Sequence, residues 1–225
     1  MQKGLTAILD QLDTRDWLQK ALFEISEVNK RPTKPLDYFY ASWAGDCPRG
    51  IQYIMNGLMP FDIDAKGRRI MDNGNYMHTR YGDYFKSIKR LIGEEPAFRK
   101  DMDGVFISGR GDLIVLDELE KPQLIELKSI NDRRYKLILN APDEGDYLQW
   151  NLCAKALGFT TGAVFYENKN TQAVKYHYVT YDEKRYKIVL DDFLMVKKYN
   201  DLGKLVPKPE VCPNPKWCAM RKSCK

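Results

Sequence analysis

Two short apolar segments that carry charged residues constrain the fold of this chain most. The first is Asp112-Leu-Ile-Val-Leu116, and the second is Gln123-Leu-Ile-Glu126-Leu-Lys128-Ser129. Apolar runs of this length, bounded by turn-forming residues, predict two buried strands. Residues two apart on a strand point to the same face, so Glu126 and Lys128 project together. A short turn between the segments returns the chain, and we expect Asp112 to lie beside Glu126.

Two buried carboxylates at one point repel each other unless a cation lies between them. Oxygen ligands favour a hard divalent ion, Mg²⁺ or Mn²⁺. A lysine beside such an ion can position a water molecule or help to deprotonate it, and these parts suit hydrolysis of a phosphodiester. The alternative is that Asp112, Glu126 and Lys128 are surface residues of an amphipathic strand. Apolar neighbours on both sides of each charged residue favour the buried site.

The remaining pattern predicts an α/β protein with a mixed central sheet flanked by helices. Helical spacing of apolar residues is found over Gly4–Val28, Ser42–Gly57, Asn75–Leu91, Leu148–Leu157 and Tyr181–Leu202, and further strand patterns over Val105–Ile107, Thr161–Tyr166 and Ala173–Val179. With 225 residues, the chain suits a single domain. No apolar run is long enough to span a bilayer, and acidic residues near the N-terminus argue against a secretory signal, so we expect a cytoplasmic protein.

Clustered cysteines indicate a second metal site. Three of the cysteines, Cys212, Cys218 and Cys224, lie within the thirteen residues that precede Lys225. Thiols in a reducing compartment bind metal more often than they form disulfides, and a short tail rich in proline and lysine has little core of its own. Cys47 is the best candidate for a fourth ligand. Cys153 lies in an apolar helix pattern and is interpreted as a core residue.

The G-x-x-D of Gly109–Asp112, followed after a hairpin by the E-x-K of Glu126–Lys128, resembles the PD-(D/E)xK nuclease superfamily. The RecB-like branch of that superfamily has a histidine on an upstream helix and a glutamine on the helix after the catalytic strands, which here match His78 and Gln149. The resemblance implies a restriction-endonuclease-like core at residues 74–205. It makes Asp112, Glu126, Lys128 and Gln149 catalytic, and it makes His78, Asp112, Glu126 and the Leu127 carbonyl the metal ligands. Glu94 or Glu95 lies where some relatives carry a further acid.

The cysteines resemble those of the iron–sulfur subgroup, which includes CRISPR-associated exonucleases and AddB-like nucleases. That subgroup has one cysteine before the core and three after it. The resemblance implies a 4Fe-4S cluster held by Cys47, Cys212, Cys218 and Cys224. Helical spacing of apolar residues predicts a helical part at residues 1–60, which includes Cys47, and the three C-terminal cysteines define a cluster tail at 206–225. Both gaps between the tail cysteines are five residues long, where relatives have a shorter first gap, so a structural Zn²⁺ site is the alternative. The family's tyrosine four residues after the glutamine is Cys153 here.

Charge and resemblance together indicate DNA as the partner. The net charge is +5, and Arg133, Arg134, Tyr135 and Lys136 form a basic patch with an aromatic residue that suits single-stranded nucleic acid. The resemblance implies an exonuclease acting on single-stranded or end-containing DNA in recombination, repair or DNA processing, alone, as an oligomer, or with a helicase, recombination or CRISPR partner. Two alternatives remain open: a DNA-binding or assembly module with a vestigial centre, and a structure-specific endonuclease.

Overall fold

The computed structural model describes residues 35–58 and 65–210 of the chain, together with positions 18, 20, 21 and 24. In the two continuous ranges there are five α-helices: α1 Pro48–Met55, α2 Ala65–Ser87, α3 Asp132–Leu137, α4 Glu144–Leu157 and α5 Glu183–Asp201. The same ranges contain eight strands: β1 Phe39–Tyr40, β2 Leu91–Glu94, β3 Ala97–Met102, β4 Val105–Arg110, β5 Leu113–Leu116, β6 Pro122–Ile130, β7 Thr161–Asn168 and β8 Val174–Thr180.

The strands form two sheets that meet at a bend. The smaller sheet has the order β1-β4-β3, and the larger has the order β2-β5-β6-β7-β8 with β6 and β7 parallel. At the bend the amide of Glu95 donates to the carbonyl oxygen of Asp112 (2.8 Å), and the amide of Gly111 donates to that of Pro96 (3.1 Å). Asp112 therefore lies where the chain leaves the smaller sheet and enters the larger one.

Helices cover both faces of the larger sheet. Successive residues of β6 point in opposite directions, so this strand contributes side chains to a hydrophobic cluster on each face. Leu124 belongs to the main hydrophobic core together with Trp150 of α4, and both side chains are buried completely. Leu127 belongs to a second, smaller cluster together with Met77 of α2. The strand that carries the predicted site is thus enclosed by α4 on one face and by α2 on the other.

Helix α4 makes the crossover between the parallel strands β6 and β7, and its two ends are well defined. The side chain of Asp143 accepts a hydrogen bond from the amide of Gly145 (3.1 Å) and caps the N-terminus. Gly158 ends the helix in the left-handed conformation, with φ of 82°. These caps define the two ends of α4, and Gln149 lies in its second turn.

A buried glutamine connects the N-terminal part of the described chain to its C-terminal part. Gln52 of α1 donates to Asn200 Oδ1 (2.9 Å) and to the carbonyl oxygen of Lys204 (2.8 Å), and it accepts from the amide of Val206 (2.7 Å). Buried polar groups are stable only when they are hydrogen bonded, so this network holds the segment after α5 against α1.

The structure confirms the predicted fold class, a mixed sheet flanked by helices, and corrects several elements. The helix expected from Ser42 begins at Pro48, after a 3-10 turn at Ala41–Trp43. The helix expected from Asn75 begins at Ala65. Strands β1, β2 and β3 and helix α3 were not predicted. Within the two described ranges, no helix is long and apolar enough to cross a membrane.

Candidate active site

The hairpin of β5 and β6 brings the two predicted carboxylates together. Leu113 pairs with Ile125, and one residue further along this antiparallel register Asp112 lies opposite Glu126. Asp112 is 6% exposed, and its Oδ2 accepts a hydrogen bond from the amide of Leu127 (2.6 Å). This bond fixes the Asp112 carboxylate against the backbone of β6.

Glu126, Lys128 and Gln149 form a closed triangle of hydrogen bonds. Glu126 Oε1 accepts from Lys128 Nζ (2.8 Å) and from Gln149 Nε2 (2.6 Å). Lys128 Nζ also donates to Gln149 Oε1 (2.9 Å). Glu126 and Lys128 share a face of β6, and Gln149 reaches them from α4. The arrangement places a carboxylate, an ammonium group and an amide around one point.

His78 reaches the site from α2. Its Nδ1 lies 3.5 Å from Asp112 Oδ1. Burial lowers the pKa of His78, while Glu126 and the Leu127 backbone act in the opposite direction. The imidazole therefore faces both predicted carboxylates and the backbone of the residue between Glu126 and Lys128.

A polar cleft of about 440 Å³ opens beside His78 and Asp112. Glu94 and Glu95 also line it, at the end of β2. Glu95 pairs with Arg110 (2.7 Å), whereas the Glu94 carboxylate lies against Gly82 of α2, where a larger residue would collide with it. The cleft thus has acidic groups at several positions and an arginine at its edge.

Both central carboxyl groups are less acidic than usual in the protein alone. Burial raises the pKa of Asp112, and the hydrogen bond from the Leu127 amide and the charge of Lys128 only partly offset this. Burial also raises the pKa of Glu126; Lys128 opposes the change and Asp112 adds to it. Burial by itself lowers the pKa of Lys128, but the carboxylates of Glu126 and Asp146 outweigh it and raise that pKa. A positive charge at the site would therefore stabilise the ionised form of both acids.

The donor atoms at the site, carboxylate oxygens and an imidazole nitrogen, are of the types that a divalent cation takes. Glu126 Oε2 and His78 Nδ1 are buried, and neither has a hydrogen-bond partner among the described residues. Buried polar atoms without partners are rare in proteins and are often completed by an ion or water. Within residues 35–58 and 65–210, no three His, Cys, Asp or Glu side chains are arranged so that they could hold a metal ion. The fit therefore rests on these unpartnered atoms and on the oxygen-rich character of the site.

The predicted DNA-binding residues lie on α3, where three of them have contacts within the protein. Arg134 pairs with Asp146 (2.7 Å), and the ring of Tyr135 lies 4.3 Å from the Lys175 ammonium. Arg133 is exposed, and Lys136, also exposed, pairs with Asp132 (2.7 Å). Arg133 and Lys136 are therefore the more exposed basic residues of the predicted patch, and Arg134 is turned towards Asp146.

Of the four predicted cluster cysteines, the structure describes one. Cys47 is half-buried and occupies the N-cap position of α1. Cys212, Cys218 and Cys224 lie outside the described residues. Cys153 is buried behind the site, as the sequence predicted for a core residue, and its thiol lies 3.7 Å from the carbonyl oxygen of Arg110.

Asp146 is a residue that the sequence reasoning missed. It lies one turn before Gln149 on α4, it is buried, and its Oδ1 is 3.8 Å from Lys128 Nζ. The available signal was its spacing of three residues from Gln149, which places both side chains on one face of the helix.

No protein-family model matches the sequence, and no curated protein is significantly similar to it. Solved structures are similar in fold. The crystal structure of SSO0001 has a TM-score of 0.56 at 15% identity, covering 92% of this chain and 95% of that one. An alkaline exonuclease from Laribacter hongkongensis, LHK-Exo, has a TM-score of 0.50 at 11% identity, covering 82% and 93%, and its structure in complex with dAMP gives the same values. At these identities the likeness establishes the fold: the chain has the restriction-endonuclease-like arrangement of a mixed sheet flanked by helices.

Proposed function

We propose that this protein is a metal-dependent nuclease that hydrolyses phosphodiester bonds of DNA, and that it acts from DNA ends. The observation that carries the proposal is the convergence of Asp112, Glu126 and Lys128 at the buried edge of two strands. Two buried carboxylates beside an ammonium group have no role in stabilising a core, because burying charge is unfavourable. The fold shared with an alkaline exonuclease supports the same reaction.

The proposed ligands of Mg²⁺ or Mn²⁺ are Asp112, Glu126, His78 and the carbonyl oxygen of Leu127. Asp112 and Glu126 supply hard oxygen atoms, and the unpartnered Glu126 Oε2 and His78 Nδ1 are available for coordination. When bound, the ion polarises the phosphoryl group and makes a bound water a stronger nucleophile.

The protein's own groups orient the reaction. The Lys128 ammonium supplies positive charge and hydrogen-bond donors where the negative charge of the phosphate increases, and Gln149 keeps Lys128 and Glu126 aligned. One water molecule is consumed for each bond cut. Its oxygen forms the new bond to phosphorus, the bridging P–O bond breaks, and the leaving oxygen receives a proton.

The proposed substrate is single-stranded or end-containing DNA. The exposed Arg133 and Lys136 on α3 can contact phosphates, and Arg110 lies at the edge of the cleft. The similar alkaline exonuclease has been crystallised in complex with dAMP. These observations favour DNA over other phosphodiesters and are consistent with a role in recombination, repair or DNA processing.

An assay with linear and circular single-stranded DNA tests this proposal. We expect the protein to degrade the linear strand in Mn²⁺ and to leave the circle intact, because an end is required. We expect EDTA to abolish the cutting, because two unshielded carboxylates would repel the phosphate. Cleavage of circular DNA at the same rate would show that the protein is an endonuclease and not an exonuclease. Tight binding without any cutting would show a binding module and contradict the proposal.

We also propose that Cys47, Cys212, Cys218 and Cys224 hold a 4Fe-4S cluster, with Zn²⁺ as the alternative. The described chain reaches Glu210, and this residue lines the same cleft as Pro48, next to Cys47. The tail cysteines follow within fourteen residues of that point. The cluster would join the two ends of the chain and restrict its unfolded state.

The absorption spectrum of protein prepared without oxygen distinguishes these metals. We expect a broad band at roughly 400 nm from thiolate-to-iron charge transfer. Cys218→Ala is expected to lose the band and to lower the melting temperature, while Cys153→Ala keeps the band. A colourless wild-type protein that contains zinc would favour the alternative, and full thermal stability of Cys218→Ala would contradict the link between the chain ends.

A further inference from the structure

Asp146 is a buried acidic residue that the proposed reaction does not yet use. It is 8% exposed, and its Oδ1 lies 3.8 Å from the ammonium nitrogen of Lys128. Lys128 donates to two acceptors, Glu126 Oε1 at 2.8 Å and Gln149 Oε1 at 2.9 Å, and Asp146 lies beyond them as a third oxygen group. At 3.8 Å the Asp146 carboxylate acts on the ammonium group through its charge, and the third N–H donor of Lys128 is left for the reaction.

The two oxygens of Asp146 have different environments. Oδ2 accepts hydrogen bonds from Arg134 (2.7 Å) and from the hydroxyl of Tyr166 (3.0 Å). The Tyr166 hydroxyl in turn accepts from the amide of Asp143 (3.0 Å), which fixes its direction. These bonds satisfy Oδ2 and leave Oδ1 directed at Lys128, so the orientation of the carboxylate is determined by groups outside the site.

Anchoring α3 does not by itself require Asp146. Lys175 Nζ donates to the carbonyl oxygens of Tyr135 (2.9 Å) and Ile138 (2.8 Å) at the C-terminal end of that helix. The side chain of Asn131 caps its N-terminus by accepting from the amide of Arg134 (2.9 Å). Because α3 has these independent attachments, a buried charge at position 146 is best explained by its other neighbour, Lys128.

We propose that Asp146 is a positioning residue for Lys128, held in place by Arg134 and Tyr166. This inference rests on the proposed nuclease function, in which Glu126 is shared between the cation and Lys128. Asp146 then provides the negative charge that keeps the ammonium group at its position. The chain of contacts from α3 through Arg134 and Asp146 also links the catalytic lysine to the helix that carries the exposed Arg133 and Lys136.

The test compares Asp146→Asn with Asp143→Asn. Both variants remove one negative charge from the neighbourhood of Arg134, and asparagine retains the capping function of position 143. Only Asp146 faces Lys128. We expect Asp146→Asn to lower kcat at least about 10-fold with KM and metal-free DNA affinity within about twofold, because a displaced catalytic group slows the chemical step more than binding. Asp143→Asn should match the wild type.

A second readout is independent of activity. The NMR signal of a lysine ammonium group is visible when the group is held by hydrogen bonds, and Lys128→Arg assigns it by its loss. We expect the Lys128 signal in the wild type and in Asp143→Asn, and its loss in Asp146→Asn at an unchanged folded state.

Equal kcat and equal signals in the two asparagine variants would overturn the inference. So would weaker DNA binding of Asp146→Asn at unchanged kcat. If the wild type does not cut DNA, the proposed function fails, while the NMR comparison still decides whether Asp146 positions Lys128.

Discussion

Asp112→Asn and Lys128→Ala are each expected to lower the rate of DNA cleavage by about 10³-fold, in line with the loss of a group that acts on the reacting atoms. The asparagine has the size of the aspartate and can still accept the hydrogen bond from the Leu127 amide, so the strand geometry is retained. What it loses is the negative charge beside Glu126. Lys128→Ala leaves Glu126 and Gln149 bonded to each other and removes the ammonium group.

DNA binding should change little in both variants, because Asp112 is buried and Lys128 is only 19% exposed. Asp117→Asn is the matched control. Asp117 follows the far end of β5, where its Oδ1 accepts from the amides of Leu119 (2.8 Å) and Lys121 (2.9 Å). The measurement is single-turnover cleavage of an end-labelled strand together with binding in EDTA. If Asp112→Asn keeps more than about a tenth of the wild-type rate, the carboxylate does not act in the chemical step.

Gly162→Ala is expected to destabilise the protein by about 3 kcal/mol, the upper part of the range for overpacking a core. Gly162 pairs with Leu124 in the parallel register of β6 and β7. A Cβ at this position would overlap the Leu124 carbonyl oxygen and would lie 2.9 Å from the ring of Trp150. The same carbonyl oxygen accepts the hydrogen bond of Trp150 Nε1 (2.9 Å), so the substitution also disturbs that bond.

The matched control is the same substitution at Gly74 in α2, where an added Cβ meets no atom within 4 Å. There, alanine should stabilise the protein by about 0.5–1 kcal/mol, because glycine inside a helix is unfavourable. Urea denaturation of both variants measures the two changes. If both variants changed the free energy of unfolding equally and in the same direction, the close approach of α4 to the sheet would be contradicted. The packing that places Gln149 at the site would be contradicted with it.

The sequence predicted the centre of the site because the centre is local. Alternation along β6 places Glu126 and Lys128 on one face, and a tight turn fixes the position of Asp112. Apolar residues on both sides of these charges indicate burial without any knowledge of the rest of the fold. The same reasoning predicted the mixed sheet and the helices around it.

The elements that were missed are stabilised by distant contacts. Helix α3 has six residues and none of them is buried, so its sequence has no apolar stripe that would predict a helix. It is held by distant residues: Arg134 pairs with Asp146 of α4, and Lys175 of β8 donates to carbonyl oxygens at the C-terminal end of α3. Strand β3 carries three consecutive charged residues, Arg99, Lys100 and Asp101, and so lacks the apolar–polar alternation that predicts a strand. The first turns of α2 are mostly exposed, and so its early start at Ala65 left no periodic signal.

Spacing from Gln149 places Asp146 on the helix face that meets the site, but its role at Lys128 could not be assigned from the sequence, for a related reason. Its partners Lys128, Arg134 and Tyr166 lie on three different elements, and only the folded chain brings them together. A lone aspartate near the start of a helix is more simply explained by the helix dipole. The contacts that distinguish the two explanations are tertiary.

The most direct test of the central claim is the anomalous scattering of a crystal soaked in Mn²⁺. The account predicts a single strong peak between the carboxylates of Asp112 and Glu126, with His78 turned towards it and Lys128 outside the coordination sphere. A data set in which manganese binds elsewhere, while these two side chains point apart with nothing between them, would contradict a metal-dependent nuclease.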